Sequence, residues 1–140
     1  MKNNFGFILV KPQLGENIGA CARSLKNFGF SKLHIVSPKQ SWPNNKAKAT
    51  SVGAYDIIKK VKIYNHTHEA ISNFDIVISL SARKRDINKK HISINQFLKI
   101  IKSKKNTKFG LMFGPEASGL SNDDLSLSNF VLQIPTSKKF

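Results

Sequence analysis

Short unbroken apolar runs alternate along the chain with segments of helical period. "FGFILV" (5–10), "LHIV" (33–36), "DIVISL" (75–80), "FGLMF" (109–113) and "FVLQI" (130–134) are too continuous for strands with one wet face, so they read as buried strands. "VKIY" (61–64) is a weaker sixth. Residues 18–28 place Ile18, Leu25 and Phe28 on one side of a helix, with Asn17 as its N-cap and Gly29 as its stop. Ser93 and Gln96 form a capping box for a helix over 94–102, where Ile94, Phe97, Leu98 and Ile101 recur at i, i+3, i+4 and i+7. Ser121 and Asp124 open a short helix over 122–127, and the segments 51–60 and 67–73 are less patterned helices.

Strand–helix alternation of this kind predicts an α/β fold: a Rossmann-like parallel sheet with helices on both faces, in one domain over residues 1–140. There are no internal repeats. The stretch "KQSWPNNKAK" (39–48) reads as a polar loop.

Composition changes the picture mainly through charge. Twenty-three Lys and Arg against eight Asp and Glu give a net charge of +15. Self-repulsion of that size opposes compactness, and a polyanion relieves it, so nucleic acid is the first candidate partner. An anionic membrane is the second, but no long basic amphipathic helix supports it, and no apolar run reaches the ~18 residues of a span. Base bias in a genome also produces Lys- and Asn-rich chains. The start "MKNNFGFILV" runs straight into a strand and lacks a signal-peptide pattern. The single cysteine, Cys21, excludes an internal disulfide and a Cys-based zinc cluster, so a cytoplasmic location is expected.

In open α/β sheets ligands bind beyond the carboxyl ends of the strands. Four loops leave predicted strands with unusual chemistry: "KPQLGENIGACAR" (11–23), "SLSARKR" (79–85), "GPEASG" (114–119) and "PTSKKF" (135–140). Neither G-x-G-x-x-G after the first strand nor a phosphate-binding G-x-x-x-x-G-K-[ST] occurs, and "EASGL" is not a hydrolase elbow. His66 and His68 flank Thr67, but with no third ligand nearby they read as a polar helix start, and no metal is expected. Arg23 lies about 140° around the helix from Ile18 and so avoids its apolar face. Alone, such an arginine is usually just solvated.

Taken together, "NIGACARSLKNFG" (17–29), "LMFGPEASGLSNDDL" (111–125) and "QIPTS" (133–137) resemble the SPOUT class of RNA methyltransferases, and the TrmH/TrmJ type within it. The likeness covers the whole chain in order. It implies a parallel sheet ending in a trefoil knot, one of the rare exceptions to unknotted topology. It implies S-adenosylmethionine held by backbone groups of three loops, here Leu80, Ser81 and Ala82, then Gly114, then Ile134 and Thr136. It implies that Arg23, Asn17 and Glu116 serve catalysis. A guanidinium stays protonated, which favours Arg23 as a clamp on an RNA phosphate over a general base.

The resemblance further implies a homodimer acting on tRNA, at a pyrimidine ribose 2′-hydroxyl of the anticodon loop, with Arg83, Arg85, Lys138 and Lys139 on the RNA surface. Glu116 is expected to accept hydrogen bonds from loop amides or from the Asn17–Arg23 segment. The class carries a third motif and a long helix after its "IPTS", whereas this sequence ends at Phe140. The domain is therefore expected to be C-terminally truncated and the knot incomplete in this chain. Two readings follow: a methyltransferase whose catalytic unit extends further, or a basic RNA-binding module without catalysis.

Overall fold

The structure, a computed structural model, describes residues 4–81 and 87–134. Within these residues seven strands form one sheet: β1 (Phe5–Val10), β2 (Lys32–Val36), β3 (Lys62–Tyr64), β4 (Ile76–Ser81), β5 (His91–Ile92), β6 (Phe109–Phe113) and β7 (Phe130–Gln133). Their order is β3-β2-β1-β6-β4-β7-β5, and every neighbouring pair is parallel. Among the described residues, six helices connect them: α1 (Gly15–Asn27), α2 (Asn45–Thr50), α3 (Tyr55–Lys59), α4 (Thr67–Ile71), α5 (Ile94–Ser103) and α6 (Asn122–Ser126).

Side chains alternate across the sheet, so each strand feeds two cores. Ile8, Val10, Val77, Met112 and Val131 pack with Ala70 of α4 and Leu125 of α6. On the opposite face, Leu33 and Ile35 pack with Ile18, Ala22 and Leu25 of α1 and Ile57 and Ile58 of α3. Further along that face Ile78, Phe109 and Leu132 meet Phe97, Ile100 and Ile101 of α5. Ile8, Ile35, Ile78 and Met112 are fully excluded from solvent, each worth about 1.5–3 kcal/mol of burial. The sheet is thus buried on both faces, as its unbroken apolar runs require.

Four local expectations are corrected. The helix expected over 51–60 is a turn followed by α3, with Gly53 at φ 78 between it and α2. α2 itself lies partly in the stretch read as loop, started by Asn44, whose Oδ1 accepts from the Ala47 amide at 3.0 Å. β5 is a strand the sequence did not announce. α1 begins at Gly15, so its N-cap position is Leu14 and Asn17 stands inside the first turn. At its other end Phe28 is the C-cap and is 69% exposed, not on the buried face.

α1 is held close to α2 because Gly19 has no side chain. A Cβ there would fall on Thr50 Oγ1 and the Ala47 carbonyl oxygen. Thr50 Oγ1 donates to the Lys46 carbonyl at 2.8 Å and lies 3.1 Å from the Glu16 carbonyl. Among the described residues no helix is long and apolar enough to cross a membrane.

Candidate functional site

The strand order turns back between β1 and β6: the chain runs outward from β1 to β2 and β3, then returns to build β4 to β7 on the other side. Such a switch point opens a crevice at the carboxyl ends of the strands. β6, β4 and β7 are consecutive neighbours there, with Leu80 registered to Leu132 and Ser81 to Gln133. The Ile134 amide donates to the Ser81 carbonyl at 2.9 Å. Leu80, Ser81, Gly114 and Ile134, singled out from sequence in three separate loops, therefore leave three adjacent strands at one edge. Ala82, Arg83, Arg85, Thr136, Lys138 and Lys139 lie outside the described residues.

The loop after β6 folds tightly on itself. The Gly119 amide donates to the Pro115 carbonyl at 2.8 Å, and Gly119 sits at φ 72, where glycine is favoured. A Cβ on Gly114 would land on the backbone of Gly119 and Leu120. This turn aims Glu116 at the segment between β1 and α1. Its carboxylate accepts from the Gln13 amide at 3.0 and 3.1 Å, the Leu14 amide at 3.2 Å and Asn17 Nδ2 at 2.8 Å. Gln13 answers through Oε1, which accepts from the Ala117 amide at 2.8 Å.

This arrangement explains why Asn17 is not the cap. The amides ahead of α1 are satisfied by a carboxylate from β6's loop, which also places negative charge at the helix N-terminus, where it is favourable. Gln40 completes the set, its Oε1 accepting from the Gly15 amide at 2.9 Å. Partial burial works against the Glu116 charge, but the bonds from Asn17, Gln13 and Leu14 outweigh it and hold the carboxyl below its ordinary range. Arg23 is exposed on α1 and makes no ion pair among the described residues.

Two hollows flank the Glu116 loop. One, about 470 Å³, is polar and lined by Lys11, Gln13, Lys39, Ser118 and Asn122. The other, about 450 Å³, is apolar, between α1 and the sheet, with Phe7, Cys21, Phe28 and Phe113 in its wall. Burial pushes the Cys21 thiol up to about 11, which keeps it in the thiol form at neutral pH. His66 caps α4 and its ring stacks on His68 at 5.5 Å. Among the described residues no cluster of three His, Cys, Asp or Glu side chains is placed to hold a metal.

Sequence reasoning passed over Gln13, Gln40 and Lys39. Gln13 at least stood in a flagged loop, while Gln40 carried no signal. An open parallel sheet, with three neighbouring strand ends and a clamped helix at its switch point, defines a ligand-binding domain of Rossmann-like architecture. The chain belongs to the SpoU rRNA methylase family, which residues 4–140 match.

It is 40% identical to the tRNA (cytidine-2′-O-)-methyltransferase TrmJ of Methanocaldococcus jannaschii, over 95% of this chain and 58% of that protein. It is 32% identical to the tRNA (cytidine/uridine/adenosine-2′-O-)-methyltransferase TrmJ of Pseudomonas aeruginosa, over 100% of this chain and 55% of that one. The crystal structure of TrmJ from Z. mobilis ZM4 superposes with a TM-score of 0.88 at 34% identity, over 96% of this chain and 60% of that chain. The chain therefore spans a little over half the length of these relatives. AviRb from Streptomyces viridochromogenes in complex with AdoMet, at 15% identity and a TM-score of 0.70, shares the fold.

Proposed function

We propose that the protein transfers a methyl group from S-adenosylmethionine to a ribose 2′-hydroxyl of RNA, with a pyrimidine in the tRNA anticodon loop as the target. The observation that carries this reading is the Glu116 clamp. It joins the two separated motifs of the family resemblance at one crevice, through Gln13, Leu14 and Asn17.

The chain's residues fit the cofactor. Leu80 and Ile134 offer apolar side chains and Gly114 offers bare backbone at three neighbouring strand ends, suited to an adenine ring flanked by apolar groups and read at its edge by main-chain atoms. Ala82 and Thr136 belong to the same proposed set. When bound, S-adenosylmethionine would supply an electrophilic methyl carbon. Arg23 stays protonated and clamps the neighbouring phosphate, which positions the 2′-hydroxyl and offsets negative charge developing on its oxygen. Asn17 and Glu116 fix α1, and therefore Arg23, against the cofactor loop.

Arg83, Arg85, Lys138 and Lys139 extend the RNA surface in this reading. A homodimer, a cytoplasmic location and a trefoil knot belong to the same proposal. The homology to tRNA methyltransferases and the charge of +15 support it.

Calorimetric titration with S-adenosylmethionine, followed by methyl transfer to tRNA transcripts with and without a 2′-hydroxyl at the target, tests the proposal. Saturable binding and 2′-hydroxyl-dependent transfer are expected. A folded protein that binds tRNA but neither binds the cofactor nor transfers methyl would leave the non-catalytic RNA-binding reading instead.

A further inference from the structure

The amino end of the sheet carries its own concave site, at the opposite ends of the strands from the Glu116 loop. A cavity of about 330 Å³ lies beneath β2 and β3, near the lower end of the range for small-ligand sites. Lys32 opens β2, Lys62 opens β3, Lys108 immediately precedes β6 and Lys60 caps the end of α3; all four line it. Strand alternation puts Lys32 and His34 on one face, and parallel register sets His34 beside Lys62.

The nearby carboxylates are already engaged. Asp56, on the rim, is held by Lys26 at 2.8 Å, and Asp75 Oδ2 accepts the Lys108 backbone amide at 2.9 Å. Among the described residues no carboxylate pairs with Lys60, Lys62 or Lys108.

The wall of this cavity contains a polar side chain that is almost fully buried. His34 is 8% exposed, and its Nδ1 lies 3.0 Å from the Tyr64 hydroxyl. Asn73 Nδ2 donates to that hydroxyl at 3.1 Å and to the Ala70 carbonyl at 2.8 Å. When the Tyr64 hydroxyl, accepting from Asn73, donates on to His34 Nδ1, the imidazole proton sits on Nε2. Nε2 is then a donor that no acceptor meets among the described residues. Burial first, then Lys62 and Lys32, lowers the His34 pKa to about 4, so the ring is neutral at working pH. Four ammonium groups against Asp56, itself paired with Lys26, together with a ring N–H donor, make up the chemistry of a phosphate site.

We propose that this cleft binds phosphate, and that its occupant is a backbone phosphate of the RNA substrate, gripped at the sheet's amino end while the methylation site lies at the other. The RNA occupant rests on the proposed function, whereas the phosphate chemistry does not.

Two measurements on the full protein test it. In the first, the His34 ring is followed by NMR across pH with inorganic phosphate replacing chloride at constant ionic strength. A bound anion beside the ring should move its titration up by about one pH unit. In the second, tRNA affinity is measured against salt for Lys60→Gln/Lys62→Gln and for a control, Lys99→Gln/Lys102→Gln on α5. All four lysines are exposed, so the fold is expected to survive.

The cleft pair should lose about tenfold in affinity and lower the salt slope by one to two, with the control losing much less. Equal losses in both pairs would overturn the RNA occupant, as would a phosphate response of His34 with unchanged RNA binding, which would assign the cleft to a free phosphate ester. An unresponsive His34 overturns the phosphate site itself. Failure of cofactor binding with the cleft results intact would sink the methyltransferase reading alone.

Discussion

The two ends of one sheet are built from different materials. At the carboxyl end a single carboxylate gathers two backbone amides and the Asn17 side chain, and the strand ends offer mostly main chain and apolar side chains. At the amino end four lysines surround a neutral, buried histidine. Main-chain atoms held by a tight turn are suited to reading one shape, and they are intolerant of change. Lysine side chains carry charge on flexible stems, so they attract any phosphate but position none closely. The difference teaches where sequence specificity can lie: at the carboxyl end, with the amino end contributing affinity and salt dependence.

This contrast can be broken experimentally. The largest effect is expected at Arg23. Arg23→Ala should lower kcat by about two to three orders of magnitude while leaving the melting temperature unchanged, because the side chain is exposed and makes no ion pair among the described residues. Single-turnover methylation together with thermal unfolding checks both halves.

The next effect is at the amino end. The folded His34 pKa, about 4, lies below its ordinary 6.5, so the unfolded chain takes up the proton first as pH falls. The stability involved is complete above pH 6.5, drains away down to about pH 4, and amounts to about 3 kcal/mol at most. Denaturant midpoints across that window, compared with His34→Gln, measure it; an unchanged slope in the variant would show that His34 is not its source.

Gly114→Ala should cost about 1–3 kcal/mol, since the added carbon meets the backbone of Gly119 and Leu120, and cofactor affinity should fall with it. A variant as stable as the original would mean that the turn yields easily. The smallest effect on stability is expected for Glu116→Gln, about 1 kcal/mol, with a larger loss in methyl transfer than in melting temperature. Its lowered carboxyl pKa means its contribution is present above the ordinary carboxylate range and is lost as pH falls through that range. A large fall in melting temperature with unchanged cofactor affinity would reduce Glu116 to a structural cap.

Much of this architecture was legible because local signals and the fold agree. The runs at Phe5–Val10 and Phe109–Phe113 match their strands residue for residue, since a strand buried on both faces leaves an unbroken apolar mark. The misses have physical causes. α2 carries no apolar period: "NKAKAT" buries only Ala47, and its start depends on one asparagine. β5 is two residues long, set by its register with Val131 and Leu132 rather than by its own propensity. Asn17 looked like a cap because its side chain suits the role. A carboxylate distant in sequence took that role instead, and no local pattern can reveal such a substitution. The site residues were legible as types, while their partners, Gln13 and Gln40, depend on long-range pairing.

The Glu116 clamp also fixes when the site can come into being. The carboxylate and the Gln13 amide it holds are 103 residues apart, so α1 is synthesised well before its anion exists. At ribosomal rates of about 5–20 residues per second, the amides before α1 face only water for roughly 5–20 seconds. The clamp arrives late in the life of the nascent chain, with the emergence of β6 and its turn. A peptide that stops short of Glu116 carries the entire first motif with none of its alignment.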